Sequence, residues 1–191
     1  MSDAVKQKKK ATYEDILKLP ENMVGEIIDG DLYVSPRPSS KHALAASRLT
    51  GKLEPSYGGG GKGPGGWWII TEPEIHLGEK PIEEIFVPDL AGWRKEKMPV
   101  FPDVAFFDLA PDWVCEILSP SNMRLDRTKK VPLYASFGVK HLWLINPRDK
   151  TLEVLRLEAG RWVLLSSYAE VDKVKAEPFQ DMEFDLGNLW E

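Results

Sequence analysis

Cysteine is nearly absent: Cys115 is the only one in 191 residues. No disulfide can form within the chain, which fits a reducing cytoplasm rather than a disulfide-built secreted fold. Long hydrophobic runs are missing too. No stretch approaches the roughly 20 apolar residues of a membrane helix. The early lysines Lys6, Lys8, Lys9 and Lys10 are followed by no apolar segment of the kind a secretory signal carries. Positive charge is in deficit, with 25 Lys and Arg against 30 Asp and Glu and a net charge of −5. A chain of that sign does not hold polyanions by its overall field, although a local basic patch can. Three histidines and no Gly-x-Ser-x-Gly elbow mean that Ser119 and Ser121 do not read as nucleophiles. They read as ending a strand and bonding locally. The glycine-rich stretch 58–66 lacks the Gly-Lys-Ser/Thr and the following helix of a phosphate-cradling loop. The strand-like Trp67-Trp68-Ile69-Ile70 follows it instead.

What is present suffices for one sizeable core, at 42% hydrophobic residues. Residues 1–11 read as a disordered basic tail and 12–191 as a single domain. Thr12, with Asp15 three positions on, predicts a capped short helix that Pro20 ends. Apolar runs on either side of Asp29-Gly30 predict a hairpin over 25–36. Ser39 or Ser40 caps a helix from Lys41 to about Tyr57, with Leu44, Ala45, Leu49 and Leu53 at helical spacing. His42, in its first turn, reads as a surface or internally satisfied residue. Segments 67–71, 74–77 and 85–93 read as strands punctuated by Pro73, Gly78 and Pro81. Segment 113–119 is apolar except for Glu116 and fits a central strand covered on both faces. Pro132 is tolerable only near a helix start, so a helix beginning near Thr128 carries Lys129 and Lys130 in its first turn and ends at Gly138. A strand at 141–145, a hairpin at 151–157 and 161–168, and a last short strand within 182–186 follow. Together these predict an α/β fold: a mixed central sheet flanked by helices, with additional β-hairpins.

Two carboxylates sit where charge is expensive. Glu116 lies inside the apolar run Trp113-Val114-Cys115-Glu116-Ile117, and Asp89 inside Val87-Pro88-Asp89-Leu90-Ala91. On neighbouring strands the two would repel unless a cation lay between them. Hard oxygen ligands select Mg²⁺ or Mn²⁺, and a nearby lysine would stabilise charge developing on a phosphate. The plainer readings are that Asp89 is a turn carboxylate after Pro88, and that Glu116 pairs structurally with Arg127 or Lys130.

The residues just named, with Ser119-Pro120-Ser121, Asp126, Lys130-Val131-Pro132-Leu133-Tyr134 and Gly138-Val139-Lys140-His141-Leu142-Trp143-Leu144-Ile145, resemble the Uma-type restriction endonuclease family of the PD-(D/E)XK nuclease superfamily. Glu26-Ile27-Ile28-Asp29-Gly30-Asp31 resembles its N-terminal element, and Ser35-Pro36 and His42 the segment after it. The resemblance implies a restriction-endonuclease-like fold with Asp89 and Glu116 as metal-binding acids and Glu26 as a further acid beside the metal. The superfamily lysine stands two residues after the second acid, a position held here by Leu118. The family resembles the variant in which that lysine moves to the next helix, which implies Lys130, with Lys129 as the fallback. The implied activity is Mg²⁺-dependent (or Mn²⁺-dependent) hydrolysis of DNA, double-stranded, by a homodimer. Two competing readings are a catalytically inactive nucleic-acid-binding or protein-interaction module on the same fold, and a phosphate-handling hydrolase built on the glycine-rich stretch.

Overall fold

The computed structural model describes residues 10–59, 63–80 and 83–191. The expected basic tail, apart from Lys10 and Ala11, and the centre of the glycine-rich stretch lie outside the described residues.

Two sheets share the chain. A six-stranded sheet has the order β10 (Arg161–Ala169), β9 (Thr151–Glu158), β8 (His141–Asn146), β7 (Trp113–Ile117), β6 (Leu90–Arg94), β3 (Trp67–Thr71), and a four-stranded sheet the order β2 (Asp31–Pro36), β1 (Met23–Ile28), β5 (Glu84–Phe86), β4 (Ile75–Leu77). The centre of the larger sheet is β7 (Trp113–Ile117), every residue of which is buried. It pairs in parallel with β8 (His141–Asn146) and antiparallel with β6 (Leu90–Arg94), so the sheet is mixed. Successive side chains of a strand point to opposite faces, and β7 divides between two cores accordingly. Trp113, Cys115 and Ile117 join one core with Trp143, Phe179 and the helix residues Ala45, Leu49 and Leu53. Val114 and Leu118 join the other with Trp93, Leu142 and Tyr134. A strand wetted on neither face has no polar side, which is why 113–119 is an apolar run.

The hairpin of β1 (Met23–Ile28) and β2 (Asp31–Pro36) forms as expected, turning at Asp29 (φ 57°) and Gly30 (φ 79°). Two positive φ values in succession match the right-handed twist of the flanking strands. The later hairpin of β9 (Thr151–Glu158) and β10 (Arg161–Ala169) turns in the same way at Ala159 and Gly160.

Three expected elements differ. The strand expected over 85–93 is two strands in different sheets, β5 (Glu84–Phe86) and β6. Val87, Pro88 and Asp89 carry the chain between them, and Pro88 has no N–H to offer either ladder. After the short helix α1 (Tyr13–Leu17), the helix expected to reach Tyr57 ends as α2 (Ser40–Leu53) and continues as a π-helical turn, Glu54–Gly58, containing Pro55. The helix expected to start near Thr128 begins earlier, as α3 (Met123–Leu125). It widens into a π turn at Asp126–Lys130 and closes as α4 (Val131–Ser136) with Pro132 in its first turn. Proline cannot supply the usual N–H, and wide turns next to it restore the backbone bonding.

Among the described residues, no helix is long and apolar enough to cross a membrane.

Candidate active site

Glu116 points out of β7 on the same side as Val114 and Leu118, which pack in one core. The β6–β7 register pairs Leu90 with Cys115. Asp89, the residue before Leu90, therefore lies just beyond the end of this ladder, on the Glu116 side. Asp89 is held there: its Oδ2 accepts from the Ile117 backbone N–H at 2.6 Å, and its Oδ1 lies 3.1 Å from His42 Nε2 on α2. Glu26 arrives from β1 of the other sheet, where its Oε1 accepts from the Val87 N–H at 2.9 Å. The crossing between the sheets thus ties one acid to another.

Lys130 sits among these acids. Its Nζ lies 2.9 Å from Glu26 Oε1, 2.9 Å from Glu116 Oε1 and 3.8 Å from Asp126 Oδ1, and 3.4 Å from the Val87 carbonyl. Tyr134, one helical turn on, donates its hydroxyl to Glu116 Oε1. The π turn and α4 therefore present Lys130 and Tyr134 from one face to Glu116, with Asp126 beside Lys130. Glu26, Glu116, Asp126 and Lys130 are all buried. Lys129 turns away and pairs with Asp29 at 2.7 Å on the surface, and Arg127 pairs with Glu153 at 3.1 Å. Of the partners considered for Glu116, Lys130 is the one that meets it.

Burial and mutual repulsion govern the charges. Burial pushes the Glu116 carboxyl well above the ordinary range, with the charges of Asp126, Asp89 and Glu26 adding to the push against Lys130. Burial also raises Asp126, to about 6. Burial would pull the Lys130 ammonium down, but Glu116 and Glu26 outweigh it and hold it well above the usual lysine range. His42 follows the same pattern: burial lowers it, while the bond and charge of Asp89 hold it above its ordinary value. Crowded acids in a desolvated cluster hold protons more tightly, as Glu116 and Asp126 do here.

The acids open into a cleft of about 310 Å³ lined by Glu26, His42, Asp89, Glu116, Asp126 and Lys130 on one side and the 35–39 and 119–122 loops on the other. Ser119 and Ser121 bond to each other at 2.9 Å, and Ser119 Oγ accepts from the Asn122 N–H at 3.3 Å, so they act locally as expected. None of the described glycine-rich residues lines the cleft.

The donor chemistry fits a hard divalent cation: carboxylate oxygens, no sulfur, and one lysine for four acids. The arrangement is closed rather than preformed. Among the described residues, no three acidic, histidine or cysteine side chains already stand as a metal-holding group. Glu26 and Glu116 instead share the Lys130 ammonium.

All four residues singled out in the sequence, Glu26, Asp89, Glu116 and Lys130, meet here. Three others were undervalued. His42 is buried and bonded to Asp89, the internally satisfied one of its two expected readings. Tyr134 adds a hydrogen bond to its packing role. Asp126 completes the lysine's surroundings. The spacing 126, 130, 134 was the available signal, since residues four apart share a helix face.

The fold and the family are shared with known proteins. A crystal structure described as "a putative nuclease belonging to DUF820", from Anabaena variabilis ATCC 29413, superposes with a TM-score of 0.70 at 24% identity. It covers 94% of this chain and 97% of the other, so the fold is shared over nearly its whole extent. No curated protein matches. A family model, Uma2, described as "Putative restriction endonuclease", matches residues 12–187. The chain belongs to the Uma2 family.

Proposed function

We propose that this protein is a metal-dependent endonuclease that hydrolyses phosphodiester bonds in DNA. The observation that carries the reading is the gathering of four carboxylates and a buried lysine, from four separate parts of the chain, at the mouth of one cleft. Burying that many like charges is costly, and a fold that only needed stability would fill the position with apolar side chains. Family membership and the shared fold point the same way.

Asp89 and Glu116 would hold Mg²⁺ or Mn²⁺, with Glu26 as a third acid. The bound ion would polarise the phosphate and make a water nucleophilic at neutral pH. The remaining work belongs to the chain. Lys130 stays cationic at neutral pH among its carboxylates, so it serves as a fixed positive charge for the phosphate oxygens and not as a base. Asp126, at about 6, is placed to accept a proton in the operating range. His42 fixes the orientation of Asp89 through the 3.1 Å contact. Tyr134 fixes Glu116 in the same way. Duplex DNA is the substrate we favour, with a homodimer cutting both strands, since two-fold symmetry matches antiparallel strands.

Two observations favour a second reading, an inactive binding module: Leu118 fills the motif's lysine position, and the acids close on Lys130 with no preformed metal-holding group among the described residues. Plasmid nicking separates the two. Hydrolysis predicts nicking that requires Mg²⁺ or Mn²⁺, disappears with chelator, disappears in Asp89→Asn and Glu116→Gln, and survives in Lys129→Ala. Nicking that persists in both acid variants overturns the assignment. So does DNA binding by a folded wild-type protein with no cutting in any divalent cation.

A further inference from the structure

A second cleft, of about 380 Å³, adjoins the acidic one and shares Ser39, His42, Ser119 and Pro120 with it. Its character is different. Its wall carries the cations Lys41, Arg148 and Lys150, and its floor the apolar Leu44, Leu118 and Trp190. The volume lies within the range of about 300–1,000 Å³ seen for ligand sites.

The cations matter here because they stand next to the acidic cleft. Elsewhere on the molecule many lysines and arginines are already engaged by carboxylates: Arg37 by Glu72, Lys97 by Asp112, Arg127 by Glu153 and Lys129 by Asp29. Arg156 bonds to both Glu158 and Glu177. Lys41 and Arg148 are exposed and make no ion pair among the described residues, whereas Lys150 pairs with Glu170 at 3.3 Å. In a chain of net charge −5, two uncommitted cations beside a cluster of acids are a local reversal of sign. Trp190 is half-buried with its indole N–H already donated to the Glu170 carbonyl at 2.9 Å, so the ring contributes an apolar surface rather than a free donor. Leu44 is 38% exposed, an apolar residue on the outer part of α2.

We infer that this second cleft is the path of the DNA strand leaving the acidic cleft. Lys41 and Arg148 meet flanking phosphates, and Leu44, Pro120 and Trp190 meet sugar and base. The occupant follows from charge and continuity. A ligand entering from the acidic cleft past His42 must bring negative charge to the two cations at a spacing that leaves apolar matter between them. A nucleic-acid strand alternates anionic and apolar parts in that way. This inference rests on the proposed endonuclease reading and adds where the substrate lies. It also accounts for binding by an acidic protein, because the contact is made by a local patch.

The test is the salt dependence of binding. Wild type, Lys41→Ala/Arg148→Ala and a control, Lys140→Ala/Arg161→Ala, are titrated with a short fluorescein-labelled duplex in chelator, so that nothing is cut. The control removes equal charge from the opposite end of strands β8–β10. Each phosphate contact contributes about 0.9 to the slope of log K against log salt on duplex DNA. The Lys41/Arg148 double variant therefore lowers the slope by about 1.8, and the control leaves it unchanged. Thermal melting confirms that all three proteins fold. An unchanged slope in the Lys41/Arg148 variant overturns the inference, and so does an equal drop in both variants. Loss of self-association without loss of DNA binding also overturns it and assigns the cleft to a second copy of the chain. Nicking by wild type in Mg²⁺, run in parallel, separates the two proposals. Nicking with an unmoved slope sinks the strand path alone. A lowered slope without any nicking upholds the path and sinks hydrolysis. Neither binding nor nicking by wild type sinks both.

Discussion

Replacing Lys130 by methionine removes one charge and keeps most of the stem. In the folded protein the ammonium lies 2.9 Å from both Glu26 and Glu116 and 3.8 Å from Asp126, with all four groups buried. Removing one partner of a buried ion pair leaves the other uncompensated and costs about 3–5 kcal/mol. For a chain of this length each kcal/mol moves the melting temperature by about 2–4 °C, so the expected loss is about 6–20 °C at pH 7.5. The loss depends on pH, with a definite sign. Burial and the neighbouring acids hold Glu116 well above its unfolded value, so the folded cluster binds more protons than the unfolded chain. Stability supplied by such a group is full below the unfolded value and falls as pH rises through the folded one. Without Lys130 the acids rely on protons even more, and the deficit of Lys130→Met shrinks as pH falls from 7.5 towards 5. The control is its neighbour. Lys129 pairs with Asp29 on the surface, and Lys129→Met melts with wild type at both pH values, as exposed pairs contribute little. Thermal denaturation followed by circular dichroism at the two pH values decides the matter. Equal melting temperatures for Lys130→Met and wild type at pH 7.5 refute the reasoning, as does a deficit that grows in acid.

Further outcomes follow from the same geometry. Asp126, moved from 3.8 to about 6, ties about 3 kcal/mol to its proton. Urea denaturation of wild type should lose that stability between about pH 4 and 6 as pH rises, and Asp126→Asn should flatten the profile over the same window; parallel profiles would contradict this. Tyr134→Phe removes the hydroxyl donated to buried Glu116 and should cost about 1–3 kcal/mol, read as a lower urea midpoint; a midpoint equal to or above wild type would contradict it. Gly92 pairs with both Ile69 and Trp113, and a methyl there would stand 3.2 Å from the Trp113 and Trp67 rings. Gly92→Ala should therefore destabilise by about 1–3 kcal/mol, and a variant at least as stable as wild type would show that the rings can move apart.

The sequence disclosed the site where chemistry and local pattern conflict. A carboxylate inside an apolar strand is anomalous on its own, which is why Glu116 and Asp89 stood out. The hairpins were legible because Asp29-Gly30 and Ala159-Gly160 need positive φ, and turn chemistry is local. Sheet membership is not local: nothing within 85–93 says that the chain leaves one sheet at Val87 and enters another at Leu90. Both π turns escaped notice because the residue spacing does not separate a widened turn from an ordinary one: Pro55 lies inside the first, and Pro132, just past the second, reads as marking a helix start. His42 received no role at the acids because one histidine in a first turn carries no pattern. Its role comes from Asp89, 47 positions later in the chain and 3.1 Å away.

The central claim is that the acids at the end of β6 and β7 assemble around a divalent cation. Crystals soaked in Mn²⁺ and measured at the manganese absorption edge test it most directly. An anomalous peak is expected between the Asp89 and Glu116 side chains, with the Lys130 ammonium moved off Glu116 and still inside the cleft. Fully soaked crystals with no peak at these carboxylates, and Lys130 still bridging Glu26 and Glu116, would contradict it.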